Sequence, residues 1–304
     1  MIHQKTRFRG HAATALLFSA LAFSPAHAAV LEAESEGFGI WADISLIGDL
    51  ASLELGPVAH SYGAAPPPYD ESATAIDVNA SAGLSDLFQL ASITSATLSS
   101  SASSDVDGAG GVRTTEASAL VEDLGITLAN PLFGMPLLQL TADAIGSEAA
   151  VTGDHGALEA SGNSWLTNLA LEVMGQEIAI EADAEGELSL NLPAGLAGLS
   201  LFLDEQTVTG DGIEEKGIDV NALRLSLDAV PLDLLGLRGL ALDGLALDGE
   251  VIISHARAHM SAAPSPVPAP ATMLLLAAGL LGLVALRRGD RLQVRGRRPQ
   301  DRAG

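Results

Sequence analysis

Phe38-Gly-Ile-Trp-Ala-Asp-Ile-Ser-Leu46, FGIWADISL, is the stretch that decides the fold. Phe38, Ile40, Ala42, Ile44 and Leu46 occupy every second position, and an extended chain sends every second side chain to one face. The spacing therefore predicts a strand with one buried face, because a helix needs apolar residues three and four apart. The same period returns at Leu169, Leu171 and Val173, at Ile178 and Ile180, and at Leu223, Leu225 and Leu227. Met174-Gly175-Gln176-Glu177 reads as a hairpin in which the glycine supplies the turn. Gly- and Pro-rich breaks at 61–68, 108–111, 193–198 and 209–212 separate strands by turns, not by long helices. The fold expected is all-β, a single antiparallel β-sandwich-like domain over residues 29–262. Two stretches depart from the pattern. Leu84 to Leu90, following Ser81, reads as a short helix. Gly239-Leu-Ala-Leu-Asp243 recurs at Gly244-Leu-Ala-Leu-Asp248; two copies are too few for a solenoid, so this reads as a local turn-and-strand duplication.

Charge narrows the partners. Three of the 15 basic residues precede Ala29 and seven follow Ala263, whereas only Asp290 and Asp301 of the 38 acids lie outside that span, so the central region carries about −31. Such a surface repels phosphate backbones and anionic lipid headgroups, which require clustered Lys and Arg, and nucleic acid is rejected as a partner. With no cysteine, the domain must be held by its core alone. At 48% hydrophobic residues the chain is too apolar for disorder, and its scarce aromatics predict a core of small aliphatic side chains.

Both ends carry targeting features. Lys5, Arg7 and Arg9 precede the apolar stretch Ala12 to Phe23, Pro25 breaks it, and Ala26-His27-Ala28 offers small residues where a signal peptidase reads. Residues 1–28 are read as a signal peptide cut between Ala28 and Ala29. At the other end come a Pro-rich spacer (263–270), a transmembrane segment with an arginine stop (271–288) and a basic cytoplasmic tail (289–304). Ala271 to Leu286 would span about 24 Å as a helix, against a hydrocarbon core of about 30 Å. Arg287 and Arg288 then snorkel on the cytoplasmic side and leave the acidic domain outside. The run Val267-Pro268-Ala269-Pro270, apolar segment and Arg287-Arg288 resembles a PEP-CTERM sorting signal, the tail that exosortase-type membrane enzymes recognise. Ala269 stands where such signals carry an acid between the prolines, and 16 residues follow Arg288. The resemblance implies signal peptidase and an exosortase-like sorting enzyme as partners, with anchoring in the inner membrane before delivery to the cell surface or the medium.

Phe38-Gly39, Trp165-Leu166-Thr167-Asn168-Leu169, Leu203-Asp204-Glu205-Gln206, Val220-Asn221-Ala222-Leu223 and Ile253-Ser254-His255-Ala256 together resemble the choice-of-anchor P family of bacterial surface proteins. The resemblance implies an exported β-rich domain on an interchangeable anchor, with no catalytic residues to carry over.

Patterns that would carry chemistry mostly fail on context. Gly37-Phe38-Gly39-Ile40-Trp41-Ala42 has dinucleotide-fingerprint spacing but no room for a preceding strand and no helix after it, so it is read as strand. Gly162-Asn163-Ser164-Trp165-Leu166 begins like a nucleophile elbow and ends in Leu where Gly is needed. His255 and His259, four residues apart on a strand, lie about 13 Å apart, too far to share an ion. Asp105, Asp107, Gly110 and Glu116 occupy positions 1, 3, 6 and 12 of a calcium loop, but Ala109 and Arg113 spoil it and a hairpin loop is the plainer reading. No catalytic, cofactor or metal residue is assigned. The expectation is a non-enzymatic cell-surface or extracellular-matrix protein. A polysaccharide-binding module or polysaccharide-acting enzyme, with exopolysaccharide as its ligand, stays open, although two Trp and two Tyr are few for sugar stacking. A calcium-dependent adhesin stays open as well.

Overall fold

The computed structural model describes residues 29–46, 50–85, 88–131, 135–180, 186–188, 198–232 and 245–264, together with Gly279. The described strands belong to one compact unit, Ala28–Pro264, built of two seven-stranded antiparallel sheets. The first contains β1 (Ala29–Leu46), β2 (Ser52–Val58) and β3 (Ser61–Ala65). The chain then crosses to the second sheet for β4 (Tyr69–Ser85), β5 (Phe88–Ser104), β6 (Arg113–Pro131), β7 (Leu138–Gly153), β8 (Glu159–Thr167), β9 (Ala170–Val173) and β10 (Gln176–Ile178). It returns to the first sheet for β11 (Gly186–Leu188), β12 (Leu199–Thr209), β13 (Glu215–Pro231) and β14 (Ala246–Ala263). The first sheet runs β11-β12-β13-β14-β1-β2 and the second β10-β9-β7-β6-β5-β4, with β3 beside β1 and β8 beside β7. The all-β, two-layer expectation holds.

The pairing of β14 with β1 joins the two ends of the unit, Ala29 opposite Ala263. Ala29, the residue after the expected signal cut, and Ala263, the first residue of the expected spacer, are thus neighbours in one ladder. Ala28 and the rest of the expected signal peptide, the spacer from 265 onward with Val267, Pro268 and Pro270, Arg287, Arg288 and the expected tail lie outside the described residues. So does most of the Gly239 to Asp248 duplication, although Ala246, Leu247 and Asp248 of its second copy open β14.

The hairpin at Met174-Gly175 is observed. Val173 pairs with Gln176 and both turn residues have positive φ, 50° and 71°, the backbone that suits a two-residue connection between right-twisted strands. The expected helix over Leu84 to Leu90 is not: Leu84 and Ser85 finish β4, and Phe88 opens β5 opposite Ser85. Phe88 and Leu90 take alternate positions facing the core, which a strand supplies as readily as a short helix. The break at 61–68 begins with strand β3, and Leu169 and Ile180 fall just outside β9 and β10.

The alternation itself contains a phase slip. In β1 the core-facing residues are Ala33, Ser35 and Gly37, then Ile40, Ala42, Ile44 and Leu46, so Gly39 and Ile40 both point inward. β13 makes the same slip at Ala222-Leu223 and β14 at Ile253-Ser254. One member of each pair is small, because two consecutive large side chains cannot share one slot of a close-packed core. Ser254 has φ 57° and Asp204 of β12 has φ 50°, which turns the chain without losing the rest of the ladder. Phe38 is therefore not on the face of Ile40 to Leu46, as the sequence spacing suggested. It lies on the outer face, stacked on the His255 ring.

The second sheet slips along one line in the opposite sense, exposing two consecutive residues at Ile76-Asp77, Ala96-Thr97, Glu122-Asp123 and Asp143-Ala144. Asp77 and Asp123, on that line, have positive φ values of 54° and 51°. The first sheet is dented where the second is ridged. Between them Ser147 donates to Ser254 (3.0 Å), whose hydroxyl donates to the Ala119 carbonyl (2.9 Å). Ser100 donates to Ser61 at 2.8 Å. At Gly37 an added Cβ would stand 2.6 Å from the Ser118 carbonyl, so the layers all but touch there. This polar waist divides the interior into a Leu/Ile-rich cluster around Ile40, Leu98, Ile126 and Leu225 and a smaller one, rich in Ala and Val, around Val30, Val151 and Met260.

Candidate functional site

The slip that dents the first sheet leaves a trough on its outer face. Each strand spends two successive side chains inward, so its outward residues skip a place: Phe38 to Trp41 on β1, Ile252 to His255 on β14, Asn221 to Arg224 on β13. The gaps line up across the strands into an open groove of about 540 Å³, floored by Phe38, Trp41 and Ile252 and rimmed by Glu36, Thr207, Asp219, Asn221, Glu250 and His255.

A chain of hydrogen bonds fixes its polar wall. Asn221 donates through Nδ2 to Glu205 Oε2 (2.9 Å), which leaves its Oδ1 to accept from His255 Nδ1 (2.7 Å). Arg224 grips Glu205 with two nitrogens at 2.8 and 2.7 Å, reaches Glu250 at 3.2 Å, and lays its guanidinium 3.9 Å from the centre of the Phe202 ring. The Arg224 hydrogen bonds hold the Glu205 carboxyl below its ordinary pKa, and Glu205 in turn raises Arg224. Burial holds His255 below the usual imidazole value, against the opposing pull of Asp219 and Glu36. His255 is thus neutral at pH 7 and donates from Nδ1. Glu36 bonds His60 at 2.9 Å and Asp219 faces Arg257 at 3.5 Å. Four carboxylates meet two guanidiniums, and the wall is net acidic.

The second groove, about 370 Å³, lies on the outer face of the other sheet and is lined by Ser101, Ser103, Glu116, Ser118, Glu148, Ser161 and Asn163, with no aromatic side chain. Glu116 is there, in strand β6, and not in the loop with its supposed calcium partners. Asp105 instead accepts from the Thr114 amide (2.7 Å), while Asp107 accepts from the Ala109 amide (2.9 Å) and pairs with Arg113 (2.6 Å). Among the described residues no three His, Asp or Glu side chains converge as a metal site. Gly162 to Leu166 is plain strand, with Ser164 bonded to Asp204 at 2.8 Å and Trp165 lying over Gly146. Gly37 to Ala42 lies within β1, as expected. His255 and His259 both face outward from β14, and only His255 joins the trough.

Sequence reasoning missed the trough because Trp41, Phe202, Glu205, Arg224 and Glu250 come from four separate strands. The available signal was the pairing of a small with a large apolar residue at Gly39-Ile40, Ala222-Leu223 and Ile253-Ser254, each interrupting the period-two count.

Ala29 opens β1 against Ala263 and bridges to Gly110, and β14 closes at Ala263, the first residue of the expected spacer. Residues 266–288 match the PEP-CTERM protein-sorting motif. The chain is thus of the exported kind, anchored in a membrane while an exosortase-type enzyme sorts it. The match takes in Val267, Pro268, Pro270, Arg287 and Arg288, and it tolerates Ala269 between the prolines. Among the described residues no helix is long and apolar enough to cross a membrane; the apolar run of the motif lies outside them, Gly279 apart. Neither a curated protein nor a solved structure matches the chain.

Proposed function

We propose that this is a non-enzymatic protein of the cell surface or extracellular matrix, a choice-of-anchor P type domain that works by being displayed. It is inserted with the acidic domain outside and Arg287 onward inside, then cut near Pro268 to Pro270. The observation that carries the reading is the sorting motif placed directly behind a strand whose partner begins at the expected signal cut. Strand β14 ends at Ala263, upstream of Pro268 to Pro270, so a cut there removes none of the described strands. Proline suits a processing site because it keeps the backbone extended and stops a helix from running through it.

Paired variants test the reading. Ala277→Arg with Leu281→Arg abolishes membrane retention, since each charge at the centre of an inserted helix costs about 2.5 to 3.5 kcal/mol. Pro268→Ala with Pro270→Ala leaves insertion intact and blocks the cut, so uncut protein accumulates in the membrane fraction. Release of that second variant at the wild-type rate would show that the prolines are not read.

A further inference from the structure

The trough of the first sheet has a composition that the display reading does not use. We propose that it binds a polysaccharide bearing free amino groups, with sugar rings stacked on Trp41 and protonated amines paired with Glu250, Asp219 and Glu36.

Three observations select this ligand class. The trough runs across the strands and is open, so it suits a length of polymer and not a small enclosed ligand. Its floor is aromatic and aliphatic while its rim offers carboxylates, an amide and a hydroxyl, the mixture that a sugar presents in reverse: an apolar C–H face and a polar edge. Its charge is net acidic within a domain of about −31, which attracts cations and repels sulfated or uronic acid polymers. Glu250 and Asp219 are the more open of the anchoring carboxylates, each held by a single ion pair, at 3.2 Å to Arg224 and 3.5 Å to Arg257. A peptide fits poorly on this face. The main-chain groups of β13, β14 and β1 are already paired in their ladders, and peptides that add to sheets do so at edges.

The inference does not rest on the sorting reading, because binding by purified protein is measured whether or not the tail is cut. The full chain in a neutral detergent is titrated by calorimetry with a glucosamine hexamer, an N-acetylglucosamine hexamer, hexalysine and an alginate oligomer. The result expected is binding of the glucosamine hexamer at least about tenfold tighter than of its acetylated form, with none of alginate. Trp41→Ala, which changes no charge, weakens that binding by about tenfold, Trp41→Phe restores most of it, and Glu250→Gln weakens it further. Asp70→Asn, on the far edge of the second sheet, leaves it unchanged. Thermal melts of each variant separate lost binding from lost folding. Equal binding of acetylated and free hexamers, loss of nothing in Trp41→Ala, or hexalysine binding as tightly as the sugar would each overturn the proposal.

Discussion

His255 is the residue whose surroundings have the clearest consequence in solution. Burial favours its neutral form in the folded chain, while Asp219 and Glu36 pull the other way and Arg257 and His60 reinforce the lowering. The unfolded chain takes up a proton near 6.5 that the folded chain refuses until lower pH, so stability falls as pH drops through that value. Glu205, lowered by Arg224, adds a second loss in the same direction. Its contribution is present above its ordinary value of 4.5 and disappears as pH falls through the folded one. The melting temperature should therefore decline between pH 7 and 5 and again below, and His255→Gln should flatten the first decline; a wild-type profile flat to pH 5 would contradict the assignment. Leu171→Asp should destabilise the fold by several kcal/mol, because Leu171 is wholly buried beside Leu140 and a carboxylate there has no partner. An unchanged melt would show that this face is not core. Leu171 was legible in the sequence because its neighbours keep strict alternation. Phe38 was not, since nothing in the count of apolar positions says that the phase changes at Gly39.

A strand's period was visible in the sequence but its interruption was not, and the interruption shapes the site. The small residues at the slips read as ordinary members of an Ala-, Gly- and Ser-rich chain, and only the register across β12, β13, β14 and β1 shows that they line up. Leu84 to Leu90 was misread for a related reason: β4 and β5 meet there after further register shifts, which blur a period of two into something helix-like. Ser254→Val tests the slip directly. It places a β-branched residue at φ 57° and removes the hydroxyl that links Ser147 to the Ala119 carbonyl. The expected cost is about 2 to 4 kcal/mol in chemical denaturation. A loss under about 0.5 kcal/mol would mean that the crease does not depend on this residue.

At the scale of the whole molecule the sequence is legible in its fold class and in its sorting motif, and opaque in the groove. Targeting segments are read by order and polarity along the chain, which sequence preserves, whereas a groove made of five strands exists only after folding. The span 29–262 should accordingly be soluble when expressed alone and mainly β by circular dichroism; a helix-dominated spectrum would end the all-β account. Its charge of about −31 should keep it monomeric at low salt, with self-association rising as salt screens the repulsion. The proposed role requires the protein to leave the membrane, and mass spectrometry of the mature C-terminus in wild-type cells measures that directly. The account predicts surface or medium protein ending near Pro268 to Pro270, with the Arg291 to Arg302 peptides absent from it. Recovery of those peptides still joined to the surface-exposed domain would contradict it, and would reduce the tail to a membrane anchor that no sorting enzyme cuts.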